Sequence, residues 1–235
     1  KGDMLTFLDS DDFLEPDSYE FMVRQMKMFD ADIIQCNFRK VYRNLIKNQD
    51  NITGVHEFQC TEYLEKFTID WTCGLLWDKL FKKRIFEGIY FEEKRKIDDE
   101  FFTYKGVMNS DLIVQLPKTT YNYRQRQSGI MNSKENQEQI ILDKLEYLNV
   151  RRKEISSKYP QLKEKFDIHY LNMLLILSKD MNITESILNL IKQRLIEYFS
   201  ERPKSRITFG MKKHLIFFRY CPIKILLKTK KQKKY

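Results

Sequence analysis

Histidine, proline and glycine are all scarce in this chain: three, five and seven residues among 235. So little glycine and proline excludes collagen-like and low-complexity classes, which need them in bulk. The three histidines, His56, His169 and His214, show no metal-ligand spacing. The four cysteines (Cys36, Cys60, Cys73 and Cys221) are isolated, with no C-x-x-C pair. Neither a zinc ribbon nor a disulfide framework is therefore indicated, and reduced thiols are expected. No signal-peptide pattern is visible, and no uninterrupted apolar run reaches the ~18 residues of a spanning helix. Acid is missing from one region: Arg202–Tyr235 holds 12 Lys and Arg and no Asp or Glu. The remaining residues carry 30 bases against 33 acids, so the net charge of +9 belongs to the tail and the body is slightly acidic.

Apolar residues make up 42% of the chain and aromatics 14%, enough for a packed core. Met4–Leu8 is an apolar run too short for a helix and reads as a buried strand. Pro16 suits the first turn of a helix running to about Phe29, with Asp17 and Glu20 near its positive end. Asp32–Tyr42 is rich in β-branched and aromatic residues and reads as a second strand, followed by a polar loop over Arg43–Gly54. Thr61 is a candidate cap for a short helix, and the pattern of Leu75–Phe86 predicts an amphipathic helix. Asp98–Met108 opens with acids and turns apolar, as a helix N-terminus does. Leu112–Leu116 and Thr119–Arg126 read as two strands broken at Pro117. Beyond Lys134 the texture becomes helical, over Glu135–Ser156, Gln161–Met181 and Thr184–Phe199. Three regions are thus expected: an α/β part over 1–133, a helical part over 134–201 and a basic amphipathic tail over 202–235.

The densest chemistry lies in FLDSDDFLEP, Phe7–Pro16, where Asp9, Asp11, Asp12 and Glu15 follow the first strand. Asp9, Asp11 and Glu20 fit three positions of a calcium-binding EF-hand loop, but Phe13 and Leu14 stand where that loop needs a ligand and a glycine. A phosphatase of the haloacid dehalogenase type also ends a strand in Asp-x-Asp. There Phe13 departs from the expected Thr or Val, and Asp98-Asp99 follows a charged segment rather than an apolar strand. The third reading is a metal-diphosphate site: carboxylates one residue apart can hold a hard divalent cation, which neutralises a departing diphosphate. The bland alternative is a solvated acidic turn capping the next helix.

Four segments carry a resemblance. KGDMLTFLDSDDFLEPDSYEFMV closely resembles the Asp-x-Asp segment of family 2 glycosyltransferases, which have the GT-A fold. LWDKLFKKR (Leu76–Arg84) resembles that family's "x-W-N-K-L-y-k-r" segment, with Asp78 in place of the usual Asn. IDDEFFTY (Ile97–Tyr104) resembles its "x-E-D-x-x-F-x-x" motif, and TYNYRQRQSGIMNS (Thr120–Ser133) its "Y-x-Y-r-x-x-x-x-S" stretch. The fold implied is the C-terminal part of a GT-A, Rossmann-like nucleotide-diphospho-sugar transferase sheet, followed by an all-helical region.

The activity implied is inverting, metal-dependent transfer of a sugar from a nucleotide-diphospho-sugar to a hydroxyl of a surface glycan or lipid-linked acceptor. Carried over by residue, Asp11, Asp9 and Asp12 are expected around Mn2+ or Mg2+. Asp9, Arg124 and Arg126 are expected at the donor diphosphate. Trp77 and Lys79 fall on the acceptor side, with a core aromatic as the equal alternative for Trp77. Asp99 aligns with the catalytic base and Asp98 stands beside it. A base is needed because an acceptor hydroxyl holds its proton far above neutral pH. A helix N-terminus would position that carboxylate and favour its charged form.

The family's first strands, with their base- and ribose-binding motifs, are not found in this sequence. The chain is therefore expected to be a fragment of such an enzyme that by itself binds donor poorly or not at all. The alternatives are a non-catalytic remnant that binds membrane or a partner and, as the enzymatic rival, the phosphatase. The mixed basic and apolar segment Met211–Tyr235 suits an anionic membrane surface. That implies a cytoplasmic protein peripheral to the inner face of a bacterial plasma membrane. Nucleic acid is not an expected partner, since the body is acidic and the tail has no recognised motif.

Overall fold

The structure is a computed structural model that describes residues 2–126, 134–179 and 183–201. The expectations placed on 202–235, including the membrane-facing segment Met211–Tyr235, lie outside the described residues. The chain forms two compact units, Lys1–Ser133 and Lys134–Tyr235.

The first unit is α/β. Its strands are β1 (Met4–Thr6), β2 (Phe13–Leu14), β3 (Ile33–Tyr42), β4 (Leu45–Gln49), β5 (His56–Gln59), β6 (Lys79–Lys82) and β7 (Leu112–Arg124). They form one mixed sheet in the order β1-β6-β3-β7-β2, with β4 on β3 and β5 on β7. The long central pair β3 and β7 is parallel, and the other pairings are antiparallel. Strand periodicity sorts the side chains of this pair. Ile34, Cys36, Val114 and Leu116 point to one face and pack beneath helix α1 (Ser18–Phe29) through Met22 and Met26. Those two methionines are four residues apart and so share one side of the helix. Gln35 and Gln115 belong to the opposite face, where the Tyr63 hydroxyl donates to Gln35 Oε1 at 2.6 Å and the Gln115 amide at 2.7 Å. Tyr63 comes from helix α2 (Cys60–Lys66), whose Cys60 thiol meets the Val107 carbonyl of helix α3 (Asp99–Val107).

Several local expectations give way to tertiary structure. Leu75–Phe86 is not a helix. It is strand β6 between two 3-10 turns, Trp71–Gly74 and Lys83–Phe86. Leu80 packs with the α1 cluster, while Phe81 meets Phe7 and Phe86. A strand buried on both faces carries apolar residues too densely to show alternation, and its pattern mimics a helix. Pro117 does not break β7 either. It is exposed at an irregularity where Leu116 pairs with Cys36 but Thr119 pairs with Asn37, so its missing N–H costs no ladder bond. Within the loop expected over Arg43–Gly54, Leu45–Gln49 pairs with β3 as an exposed edge strand of weak pattern. Helix α2 is capped by Gln59 and Glu62 in a reciprocal box, two residues ahead of Thr61.

The second unit holds α4 (Gln137–Lys158), α5 (Lys163–Ser178) and α6 (Glu185–Glu201). Leu145, Leu148 and Ile155 are buried with Phe166, Leu171 and Leu174, and with Leu188, Ile191 and Leu195. A buried Arg152–Asp167 pair at 3.0 Å ties α4 to α5. Among the described residues no helix is long and apolar enough to cross a membrane.

Lys79 has no exposed surface, and its ammonium donates to the Thr72 carbonyl (2.8 Å), the Leu75 carbonyl (2.6 Å) and Asp78 Oδ1 (2.7 Å). Lys79→Ala would strand the fully buried Asp78 carboxylate. It should lower the unfolding free energy by about 3–5 kcal/mol in urea titrations, whereas a rim pair such as Arg194–Glu146 should cost under about 1 kcal/mol.

Candidate active site

Strand β1 delivers the chain into the acidic turn, and β2 takes it up beside β7. The turn closes on itself, with the Asp12 amide donating to the Asp9 carbonyl at 3.1 Å. Tyr121 of β7 holds it from below. Its buried hydroxyl accepts from the Asp9 amide at 3.2 Å and donates to Asp12 Oδ2 at 2.7 Å. The Arg124 amide donates to Asp12 Oδ1 at 2.7 Å. Both oxygens of Asp12 are thus bonded to β7. Asp12, expected with Asp9 and Asp11 around a cation, instead anchors the loop.

Glu15 also turns inward, accepting from the Asn122 amide at 3.0 Å and pairing with Arg39 at 3.2 Å. The carboxylates presented outward are those of Asp9 and Asp11. Partial desolvation, then the charges of Asp12, Asp11 and Asp98, hold the Asp9 carboxyl above its ordinary range. Burial does the same for Asp12, against its bonds from Arg124 and Tyr121.

The second acidic segment lies on the helix that packs against the residue leading into the turn. Phe102 of α3 explains the approach: it stacks on Phe91 at 3.9 Å and meets Phe7, the first residue after β1, edge-on at 6.1 Å. At the start of α3 the Asp98 side chain caps the Asp99 amide at 3.1 Å, and Asp99 Oδ1 accepts from the Glu100 amide at 2.9 Å. The helix terminus does not keep Asp99 ionised, as the sequence led us to expect. Asp99 retains a partly open rim, but protein surrounds the rest of its carboxyl. That burial comes first and the adjacent Glu100 charge second in pushing Asp99 up to about 8. Asp98 adds to the rise, and the Glu100 amide and the Lys79 charge oppose it.

The residues expected on the acceptor side lie deeper than anticipated. Trp77 is buried, stacked on Tyr121 at 4.4 Å and edge-on to Phe38 at 4.7 Å. Lys79 is enclosed and engaged as described above, so it touches no acceptor; it acts through Asp78, the turn at Thr72 and the field at Asp99. Arg124 and Arg126 do come together. With Arg43, Phe13 and Tyr42 they line an open groove of about 450 Å³. The Arg124 guanidinium stands over the Phe13 ring at 5.4 Å, and Arg126 Nε lies 3.8 Å from Asp11 Oδ2. The sequence reading missed Tyr121 and Arg43. The spacing of Tyr121 and Tyr123 puts both on one face of the strand, but nothing local said that the Tyr121 hydroxyl would meet a loop more than a hundred residues away.

Among the described residues, no three His, Cys, Asp or Glu side chains form a self-sufficient ion cage. Asp9 and Asp11 still fit a small divalent cation of the Mg2+ type, which takes one or two protein carboxylates and completes its shell with waters and substrate phosphates.

Comparison with known proteins bears on this arrangement. No family model matches the chain. In sequence it is similar to the glycosyltransferase GlyG of Streptococcus pneumoniae serotype 4 (strain ATCC BAA-334 / TIGR4). The two are 29% identical over 146 residues, 57% of this chain and 47% of GlyG. Glycosyltransferase GlyA of the same strain is 26% identical over 142 residues, 55% of this chain and 20% of GlyA. The chain therefore spans less than half the length of these relatives. In fold it is similar to S. aureus TarS 1-349, with a TM-score of 0.54 at 15% identity over 100% of this chain and 68% of TarS 1-349. TarS 1-349 in complex with UDP-GlcNAc gives a TM-score of 0.50 at 18% identity, over 100% of this chain and 69% of that one. The fold is a Rossmann-like α/β sheet followed by helices, as in these structures, and the named relatives are glycosyltransferases.

Two consequences can be measured. Tyr121→Phe leaves the Asp9 amide and Asp12 Oδ2 without their shared partner and should lower stability by about 1–3 kcal/mol, read by urea titration. For Asp99 the folded state keeps up to a pH of about 8 a proton that the unfolded chain releases near the ordinary 3.8. Unfolding free energy should therefore fall as pH rises through that window and level off above it. Asp99→Asn should flatten this slope in melting curves taken from pH 5 to 9.

Proposed function

We propose that the chain supplies the cation and acceptor side of a family 2 glycosyltransferase. Such an enzyme transfers a sugar, with inversion, from a nucleotide-diphospho-sugar to a hydroxyl of a surface glycan or lipid-linked acceptor. The observation that carries this reading is the approach of two acidic segments from distant parts of the chain. One presents Asp9 and Asp11, and the other presents Asp99 beside Asp98; Phe7, which leads into the first, meets Phe102 of the helix that the second opens, with ring centroids 6.1 Å apart. The similarity to glycosyltransferases in sequence and fold supports it, and favours neither the phosphatase nor the non-catalytic remnant.

In this reading Asp11, with Asp9, would hold Mn2+ or Mg2+, whose charge would stabilise the departing diphosphate. Arg124 and Arg126 face the same departing oxygens from the groove, where fork-shaped guanidiniums suit phosphate. Asp99 takes the proton of the acceptor hydroxyl as that oxygen bonds to the anomeric carbon. The bond from that carbon to the diphosphate breaks on the opposite face, so the configuration inverts. A carboxyl that titrates near 8 accepts a proton far better than one that titrates near 4, once it is ionised. Asp98 shapes the potential at both acidic segments. The basic tail Met211–Tyr235 would hold the enzyme on the inner face of an anionic membrane, beside a lipid-linked acceptor.

Turnover by the protein should stop in excess EDTA and return with Mn2+ or Mg2+; full activity in EDTA would refute the cation assignment. The rate should climb with pH through a limb near 8. Asp99→Asn should remove that limb and lower kcat by about 10²–10⁴-fold with donor affinity retained.

A further inference from the structure

The 3-10 turn Trp71–Gly74 is held firmly, with Thr72, Cys73 and Gly74 buried. Asp70 caps it, accepting from the Thr72 amide at 3.0 Å and the Thr72 hydroxyl at 2.7 Å. The buried Lys79 ammonium grips it through the Thr72 carbonyl. On its other side the Thr103 hydroxyl of α3 donates to the Gly74 carbonyl at 2.7 Å. Gly74 itself is pressed against Glu100; a Cβ there would sit 2.7 Å from Glu100 Oε2. The turn is thus fixed to the end of α3 that carries Asp99.

What this rigid turn displays is an indole. Trp71 is 51% exposed. Phe38 meets it edge-on at 6.1 Å, and the Lys40 ammonium stands over the ring at 5.6 Å. From Trp71 a continuous row of rings runs through Phe38 and Trp77 to Tyr121, the residue that holds the acidic turn. Trp71 is therefore tied to both acidic segments, through Gly74 to α3 and through the aromatic row to Asp9–Asp12. A large flat apolar ring, half exposed on a rigid turn and with an ammonium over part of one face, leaves apolar surface for a ligand with one apolar face and polar edges. A pyranose ring is such a ligand: its C–H face lies on the indole, and its hydroxyls accept from an ammonium.

Resting on the glycosyltransferase reading, we infer that Trp71 is a stacking platform for a sugar ring of the acceptor, with Lys40 as its polar partner. It is a specificity residue on the acceptor side, the position that the enclosed Trp77 and Lys79 do not occupy. The platform favours a glycan acceptor over a simple alcohol, because an alcohol offers no face to stack.

The chain has two tryptophans, and Trp77 is buried, so changes in emission on adding a saccharide report mainly on Trp71. The probes are methyl β-glucoside, methyl β-galactoside, methyl β-N-acetylglucosaminide and their β-linked disaccharides. At least one should change the emission saturably. NMR titration should show its binding weakened about tenfold in Trp71→Ala, less in Trp71→Phe, which keeps a ring, and detectably in Lys40→Ala. Far-UV circular dichroism should be unchanged in all three, since Trp71 is a surface residue. Saturable binding of none of these glycosides, or equal binding by Trp71→Ala and wild type, overturns the platform. Titration of the same proteins with Mn2+ alone separates the two ideas. Trp71-dependent glycoside binding with no Mn2+ binding that Asp11→Asn abolishes would retain the platform and remove the cation site on which the glycosyltransferase reading rests.

Discussion

The site depends on one hydroxyl. Tyr121 sits toward the C-terminal end of β7 with no exposed surface, and its oxygen joins the Asp9 amide to the Asp12 carboxylate. A buried tyrosine needs a partner for its O–H, and a loop crowded with carboxylates needs donors. Each requirement answers the other. The stacked Trp77 keeps the phenol in place, and Phe38 keeps Trp77 in place. With Asp12 turned inward, Asp9 and Asp11 are left on the outer side of a turn that has little freedom to move. The irregularity around Pro117 lies a few residues upstream in β7, where a change of register sets the direction in which Tyr121 points.

Electrostatics divides the carboxylates by burial and by partners. Asp32 and Asp167 are buried with guanidiniums and serve the fold. Asp78 is buried against Lys79 and fixes the turn that borders α3. Asp9 and Asp99 are raised first by burial and then by the charges of several nearby acids. Like charges held together oppose folding, and a fold that keeps them together is arranged for what binds there. In the proposed function that partner is a cation and a diphosphate at one segment and a transferable proton at the other. The slightly acidic body that the composition revealed is thus not a diffuse property of the surface; part of its acid is gathered at two loop ends.

Legibility of the sequence varied with how local each decision was. The first strand, the helix after Pro16, the strand after Asp32, the acid-capped helix at Asp99 and the three helices after Lys134 could all be read from periodicity and caps. Leu75–Phe86 could not. Its apolar residues satisfy a helix pattern, and only the pairing of Thr6 and Ile34 with Leu80 makes it a strand. Pro117 signals a break in isolation, but β3 accommodates it by skipping register. Likewise the N-terminus of α3 argued for an ionised Asp99, while the packing around the carboxyl decides the opposite.

By itself the sequence determined the chemistry available: carboxylates at Asp9, Asp11 and Asp99, guanidiniums at Arg124 and Arg126, and a family resemblance carried by short contiguous motifs. Those are properties of neighbours along the chain, set by strand ends, caps and side-chain type. Tertiary structure alone decided the assignments among them. It turned Asp12 inward, enclosed Lys79, buried Trp77 and left Trp71 in the open. For Asp12 and Trp77 the outcome rests on contacts between segments far apart in sequence; for Lys79 it rests on a local turn that the surrounding fold buries, and in each case burial and hydrogen-bond satisfaction outweigh local preference.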